Sequence, residues 1–315
     1  MATLKELSKV PERLVGGHRL CAGCGHGVAT RMVLNAVEEN EHVVVGCATG
    51  CLEVATTIYP FTAWNCSFIH SAFENAGATI SGVEAAYRAL KKKGKLTENF
   101  KFIAFGGDGG TYDIGLQSLS GAMERGHNIV YVCLDNEAYM NTGIQRSSAT
   151  PIGADTTTSP AGKVIPGKQQ PRKDLTAIMA AHNIPYVGQA ALSNWQDLYK
   201  KAKKAVEVEG PAFLNILSPC PRGWRYNTPE IMEISKLAVE TRFWPLYEVE
   251  DGKWKLNYKP KKYVPIEEFL KPQGRFKHLF KPGNEHVIKA IQEDVDRRWL
   301  ALLERCGETP ELPPR

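Results

Sequence analysis

Two short stretches of this 315-residue chain hold residue types whose chemistry goes beyond packing. The first is GHRLCAGCGHG, residues 17–27, where Cys21 and Cys24 form a Cys-x-x-Cys wrapped in glycine, with His18 and His26 on either side. Thiols at that spacing serve a metal or a redox disulfide. The redox use wants a strand before the motif and a helix after it, and the leader KVPERLVGGHRL is a poor strand. Zinc and iron–sulfur both remain open, because each takes four cysteines. The two histidines are then either supports for the ligands or surface residues.

The second stretch is FGGDGGTYDIG, residues 105–115. Its glycines let backbone N–H groups close on a phosphate, and a helix N-terminus just beyond favours negative charge. It is neither a P-loop nor a G-x-G-x-x-G turn. An aspartate inside such a turn repels a bare diphosphate, so Asp108 makes sense when a divalent cation lies between them. Mg²⁺ takes six oxygens, typically one or two protein side chains with phosphate and water. The next apolar run ends in LDNEAYMN, where Asn136, twenty-eight residues after Asp108, offers a second side-chain oxygen and the Ala138 carbonyl a third.

These residues need a scaffold that brings strand ends together. HVVVG (42–46), KFIAF (101–105), NIVYVCLD (128–135), IPYVGQA and PAFLNIL (211–217) are short apolar runs of the buried parallel type. Helical spacing separates them. In HSAFENAGATISGVEAAYRALKKKG the apolar positions recur from Phe73 to Leu90, and Ser71 with Glu74 gives a capping-box pattern. TYDIGLQSLSGAMERG, a segment near 174–182 and residues 194–209 also read as helices, and 284–306 as a final one. The stretch 147–173 is a long Thr-, Pro- and Gly-rich loop. Order is expected to break down from about 225, with 250–283 extended and irregular. The alternation predicts a doubly wound, mostly parallel α/β sheet, with ligands at the carboxyl ends of its strands.

The bulk properties agree with a globular enzyme or subunit. At 43% hydrophobic and 23% charged the chain has a sizeable core, and no window is apolar enough to span a bilayer. The start, MATLKELSKVPERL, lacks the apolar stretch of a secretory signal, so a cytoplasmic location is expected. Eight cysteines in such a chain argue against a disulfide framework. The net charge of +5 is mild; much of it lies between Lys253 and Lys281. No nucleic-acid-binding module accompanies it, and a solvated or partner-facing tail is expected there.

The string DNEAYMNTGIQRSSATP, residues 135–151, together with the Gly-Asp-Gly turn, resembles the β subunits of the 2-oxoacid:ferredoxin oxidoreductases, the pyruvate synthase group. SPAGK (159–163), IMAAHNIPYV (178–187), SPCPRGW (218–224) and QGRFKHL (273–279) extend the resemblance over nearly the whole chain. It implies a thiamine-diphosphate-binding domain over 1–230 and an extension over 231–315 that contacts other subunits. It implies Mg²⁺ on Asp108, Asn136 and the Ala138 carbonyl, with Thr49, Gly50, Gly107, Gly109 and Asn141 beside the cofactor. It also implies a [4Fe–4S] cluster on Cys21, Cys24, Cys51 and Cys220. Cys47 is the rival for the third position, and the Ala-Thr-Gly-Cys turn favours Cys51. Cys66, Cys133 and Cys306 read as structural.

The implied chemistry is oxidative decarboxylation. The cofactor takes up the electron pair left by departing carbon dioxide, and a nearby cluster removes electrons one at a time. Pyruvate is the first expected substrate and oxalate the second; Arg146 is a candidate cation for a second carboxylate. The family passes the acyl group to coenzyme A in most members and the electrons to ferredoxin. The sheet consumes the chain up to about 220, leaving no room for a pyrimidine-binding domain. That domain and its activating glutamate are expected on an α subunit, with γ and ferredoxin-like δ subunits completing the complex. The competing readings are a cluster-free thiamine decarboxylase subunit with structural zinc, and a non-catalytic metal-bearing scaffold.

Overall fold

The computed structural model describes residues 3–314. Eight strands form one sheet: β1 His42–Ala48, β2 Ser67–Ser71, β3 Phe100–Gly107, β4 Val130–Asp135, β5 Tyr186–Ala191, β6 Ala212–Leu217, β7 Tyr247–Glu250 and β8 Lys253–Leu256. Their order is β2-β1-β3-β4-β6-β5-β7-β8. The first six are mutually parallel and the last two antiparallel. This is the doubly wound α/β sheet expected from the sequence. Every residue of β4, β5 and β6 is buried, which is why those strands read as continuous rather than alternating apolar runs.

The helices Gly25–Leu34 and Trp195–Glu207 cover one face, through residues such as Ala29, Val33, Leu198 and Ala202. Ala76–Lys92, Leu116–Glu124 and Leu175–Ala180 cover the other, through Ile80, Leu119 and Met179. From β1 the chain passes to β2 on one side, and from β3 to β4 on the other. The crevice between the ends of β1 and β3 is therefore the switch point where such sheets bind ligands.

Three local expectations are corrected. SFIHS is a strand, and the following helix starts at Ala76 with Asn75 before it. The Ser71/Glu74 box does not form, because Ser71 ends β2 and its carbonyl accepts from the Thr49 backbone N–H. An edge strand with mostly exposed polar side chains leaves no apolar run to read. The helix after Asp108 opens as a π-helical stretch, Gly109–Ile114, before turning α-helical at Leu116; such stretches recur at functional sites.

The third correction concerns the region after 225, which is ordered. It holds a helix, Ile231–Glu240, and the β7–β8 hairpin. The hairpin turns on Asp251-Gly252, with φ of 47° and 76°, as a two-residue connection between short strands requires. Trp224, Ile234, Trp244, Phe269, Phe276 and Ile291 build a third core there.

The antiparallel pair is pinned by Glu248. Its carboxylate accepts from Tyr186 Oη at 2.8 Å, Lys204 Nζ at 3.1 Å and Asn257 Nδ2 at 3.1 Å. Burial opposes the charge, but the hydrogen bonds from Tyr186, Asn257 and Lys204 outweigh it and hold the carboxyl at about 2. A carboxyl depressed in the folded state contributes stability above its ordinary value near 4.5, and loses it as the pH falls toward 2. Glu248→Gln should therefore flatten the dependence of unfolding free energy on pH between about 4.5 and 2. Denaturant titrations across that range check it, and an unchanged slope would refute the assignment.

Candidate functional site

The carboxyl ends of β1, β3 and β4 line an open cleft. Three segments wall it: Cys47–Leu52 after β1, Phe105–Gly110 at β3 and Leu134–Thr142 after β4, with His26 and Phe73 closing the sides. Thr49, Gly50, Gly107, Asp108, Gly109, Asn136, Ala138 and Asn141 all line it. A Cβ built on Gly50 or Gly107 meets nothing within 4 Å, so these two positions leave the cleft free where a side chain would fill it. Tyr139 donates its hydroxyl to the Gly109 carbonyl at 2.8 Å and meets Phe73 edge-on at 6.0 Å, giving the cleft an aromatic wall.

Asp108 is 1% exposed. Ser147 donates its hydroxyl to Oδ2, and the Asn136 backbone N–H reaches Oδ1 at 3.4 Å. Burial first, and then the charge of Asp135, push the Asp108 carboxyl well above its usual range. A carboxylate in this place calls for a cation. The Asn136 side-chain oxygen stands 2.8 Å from Asp108 Oδ1 and 2.9 Å from the Ala138 carbonyl oxygen. Turned over, the amide would donate to both, which is the better arrangement without a cation. With one, three inward oxygens suit it: neighbouring ligands of an octahedral Mg²⁺ lie about 2.9 Å apart.

His26 can hold the inward oxygen. Its ring is fully buried, and burial lowers it to about 4, so the imidazole is neutral. Nδ1 lies 2.6 Å from Ser218 Oγ and Nε2 3.3 Å from Asn136 Nδ2. With the proton on Nδ1, Nε2 accepts from the Asn136 amide and turns its oxygen toward Asp108. Trp224 Nε1 donates to the Asn136 carbonyl at 2.8 Å and fixes the backbone. The sequence left His26 as a support or surface residue; only the fold shows that it is buried against Asn136.

The next residue is the one the sequence did not single out. Glu137 is fully buried with φ of 67°, a left-handed conformation that a non-glycine residue adopts only under constraint. Arg172 Nη1 donates to its Oε1 at 2.9 Å, and Arg275 Nη2 donates to Oε2. Arg172 also reaches Asp135 Oδ2 at 2.6 Å, which Tyr112 Oη shares. Arg172 stacks over Trp244 at 4.6 Å and Arg275 over Trp224 at 4.1 Å. A fork-shaped donor on an aromatic plane is the arrangement guanidinium groups favour over ammonium.

Cys21, Cys24, Cys51 and Cys220 lie near enough to act on one another's charge, and Cys51 lines the cleft. Cys24 caps the helix Gly25–Leu34, Cys51 opens the helix Cys51–Thr56, and Cys220 accepts from the Gly223 N–H at 3.3 Å. Burial, together with the charges of the other thiols, pushes Cys24 and Cys51 up to about 12 each and raises Cys220 as well. Cys21 acts on all three, and Asp108 on Cys51. Glycine makes the approach possible: a Cβ on Gly25 would lie 2.6 Å from Ser218 Oγ, and one on Gly23, at φ 71°, would overlap the Thr228 backbone. Among the described residues no three His, Cys, Asp or Glu side chains stand close enough to hold one metal ion.

Cys47 is buried in the core and also lines the cleft, and burial, with the charge of Glu53, raises its thiol. Cys133 is fully buried in β4. Arg146 does not line the cleft.

A glycine turn bearing an aspartate at the switch point of a parallel sheet, answered by an asparagine one strand over, defines a diphosphate-binding domain of the thiamine type. The family model described as thiamine pyrophosphate enzyme, C-terminal TPP binding domain, matches residues 44–216. Pyruvate synthase subunit PorB of Thermotoga maritima is 53% identical over 99% of this chain and 97% of its own. Ketoisovalerate oxidoreductase subunit VorB of Pyrococcus abyssi is 45% identical over 91% and 92%. A 2-oxoglutarate:ferredoxin oxidoreductase from Magnetococcus marinus, solved with 2-oxoglutarate, coenzyme A and succinyl-CoA bound, shares the fold with a TM-score of 0.53 at 21% identity, covering 72% of this chain and 78% of that one. The chain belongs to the β-subunit family of the 2-oxoacid:ferredoxin oxidoreductases. Among its described residues no helix is long and apolar enough to cross a membrane.

Neutralising Glu137 leaves two buried guanidinium groups without their shared carboxylate. Glu137→Gln should cost about 3–5 kcal/mol of unfolding free energy, read from urea denaturation. A loss under about 1 kcal/mol would mean that Arg172 and Arg275 find other partners.

Proposed function

We propose that this chain holds the diphosphate of thiamine diphosphate through a Mg²⁺ on Asp108, Asn136 and the Ala138 carbonyl, and a [4Fe–4S] cluster on Cys21, Cys24, Cys51 and Cys220. The observation that carries the reading is the position of Cys51. It lines the cleft, feels the charge of Asp108, and shares its electrostatic surroundings with the other three thiols. Bound there, the thiamine cofactor supplies an electron sink for decarboxylation and the cluster a one-electron acceptor.

The chain's own residues do the rest. His26 orients the Asn136 amide, Ser147 fixes Asp108, and Gly50 and Gly107 keep space for the diphosphate. Met140 lines the cleft and fills the space over Gly223 beside the Cys220 sulfur, so one side chain would stand between the cofactor and that cluster ligand. The raised thiols need a strong positive core to become thiolates, which a cluster provides.

Asp108 is the one carboxylate lining the cleft, and no lysine or arginine lines it, among the described residues. Asp108 is committed to the metal. A partner α subunit is thus needed for the glutamate that activates the cofactor and for the cations that hold the substrate carboxylate. The 53% identity to a pyruvate synthase subunit favours pyruvate over oxalate. Electrons then pass through the δ subunit to ferredoxin, with coenzyme A taking the acyl group; γ completes the complex.

Cys51→Ser should strip most of about four irons per chain from anaerobically purified complex and bleach its brown colour. Cys47→Ser should leave both unchanged. The reverse pattern would move the third ligand to Cys47, and colourless wild-type protein with one zinc would overturn the reading.

Turnover is tested by viologen reduction with the whole complex, offering pyruvate, oxalate, 2-oxoglutarate and branched-chain 2-oxoacids, each with and without coenzyme A. Pyruvate with coenzyme A should be fastest, and the isolated chain should be inactive. Full turnover by the chain alone would contradict the need for an α subunit.

A further inference from the structure

The long segment 147–173 holds the glycine turn at both of its ends. At the start, Ser147 donates its hydroxyl to Asp108 Oδ2, and the Ser148 backbone N–H donates to Asp113 Oδ2 at 3.0 Å. At the finish, the Lys173 backbone N–H donates to the Ser148 carbonyl at 2.9 Å and closes the segment on itself. Arg172 Nη2 donates to Tyr112 Oη at 2.9 Å. The Lys173 ammonium donates to the Tyr112 carbonyl and stands 3.8 Å from Asp113 Oδ1.

The segment thus grips the π-helical stretch Gly109–Ile114. A π turn takes in one residue more than an α turn, closing i to i+5 rather than i to i+4, and is rare on its own account. Giving that residue up would rotate the glycine turn against β3. The stretch is also packed without slack. A Cβ on Gly109 would overlap the Tyr139 ring, one on Gly110 would lie 2.9 Å from the Phe73 carbonyl oxygen, and one on Gly115 would overlap the Gly110 carbonyl. A carbonyl in the closing turn of such a stretch is met here by a lysine, as basic side chains do at helix ends.

We propose that Lys173 is a positioning residue for the diphosphate site. By holding the Tyr112 carbonyl it keeps the π-helical register that sets Gly109 and Gly110 beside Asp108 at the cleft. Lys173 does not line the cleft itself. Its side chain is 31% exposed, and an ion pair that open to solvent contributes little to stability. Its effect is therefore on the shape of the turn rather than on the fold. The inference rests on the thiamine diphosphate reading of the cleft given above.

The test is calorimetric titration of the cofactor-depleted complex with thiamine diphosphate at saturating Mg²⁺. Lys173→Met should weaken binding about tenfold or more, the range expected for losing one charge-assisted hydrogen bond. Lys173→Arg, which keeps a cationic donor, should recover most of the affinity. Iron content and the thermal unfolding midpoint should stay at the wild-type values in both variants. Unchanged affinity in Lys173→Met would overturn the proposal. So would a loss of iron and of the midpoint in step with affinity, or an arginine variant no better than the methionine one, since each would reduce Lys173 to a general support. A wild-type complex that binds no thiamine diphosphate would sink the cofactor reading instead, so the two failures are told apart.

Discussion

Glu137 follows directly on the residue that β4 delivers to the cleft, and both its carboxylate oxygens are taken by guanidinium groups from distant parts of the chain. The two ion pairs hold a left-handed residue in place, and with it the turn that sets Asn136 and the Ala138 carbonyl against Asp108. Buried charge pairs are costly to desolvate and are weak evidence for stability in themselves. Here they fix a geometry. Two aromatic planes under the guanidinium groups limit the ways the network can rearrange.

The sheet does the remaining work of convergence. Parallel strands end on one side, so the loops after β1, β3, β4 and β6 open toward a common region. The β1 loop brings Cys51, the β3 loop Asp108, the β4 loop Asn136, and the segment after β6 carries Cys220. The N-terminal Cys-x-x-Cys arrives from outside the sheet. It is drawn in by the close approach of Gly25 to Ser218 and a backbone hydrogen bond from Gly25 to the Pro219 carbonyl at 3.1 Å.

Much of this was legible in the sequence because central parallel strands are apolar throughout, and β1 and β3 to β6 read as such runs. The edge strand β2 was not legible, since half-solvated residues such as His70 and Ser71 leave no periodic signal. The β7–β8 hairpin was hidden by its four-residue strands, although Asp251-Gly252 is a turn signal in plain view. The residues that line the cleft could be marked because they are close in sequence and chemically specific. The network around Glu137 could not. Its partners stand 35 and 138 residues away, and a buried arginine looks like a surface one until the fold is known. His26 stayed ambiguous for the same reason: its partner Asn136 is 110 residues on.

The span of that network orders events during biosynthesis. Arg275 belongs to the last sixth of the chain, so a nascent polypeptide still threaded through the ribosome tunnel has translated every strand from β1 to β6 while Glu137 lacks its second cation. Such a chain carries the six parallel strands, but only one of the two guanidinium groups that hold the turn beside Asp108.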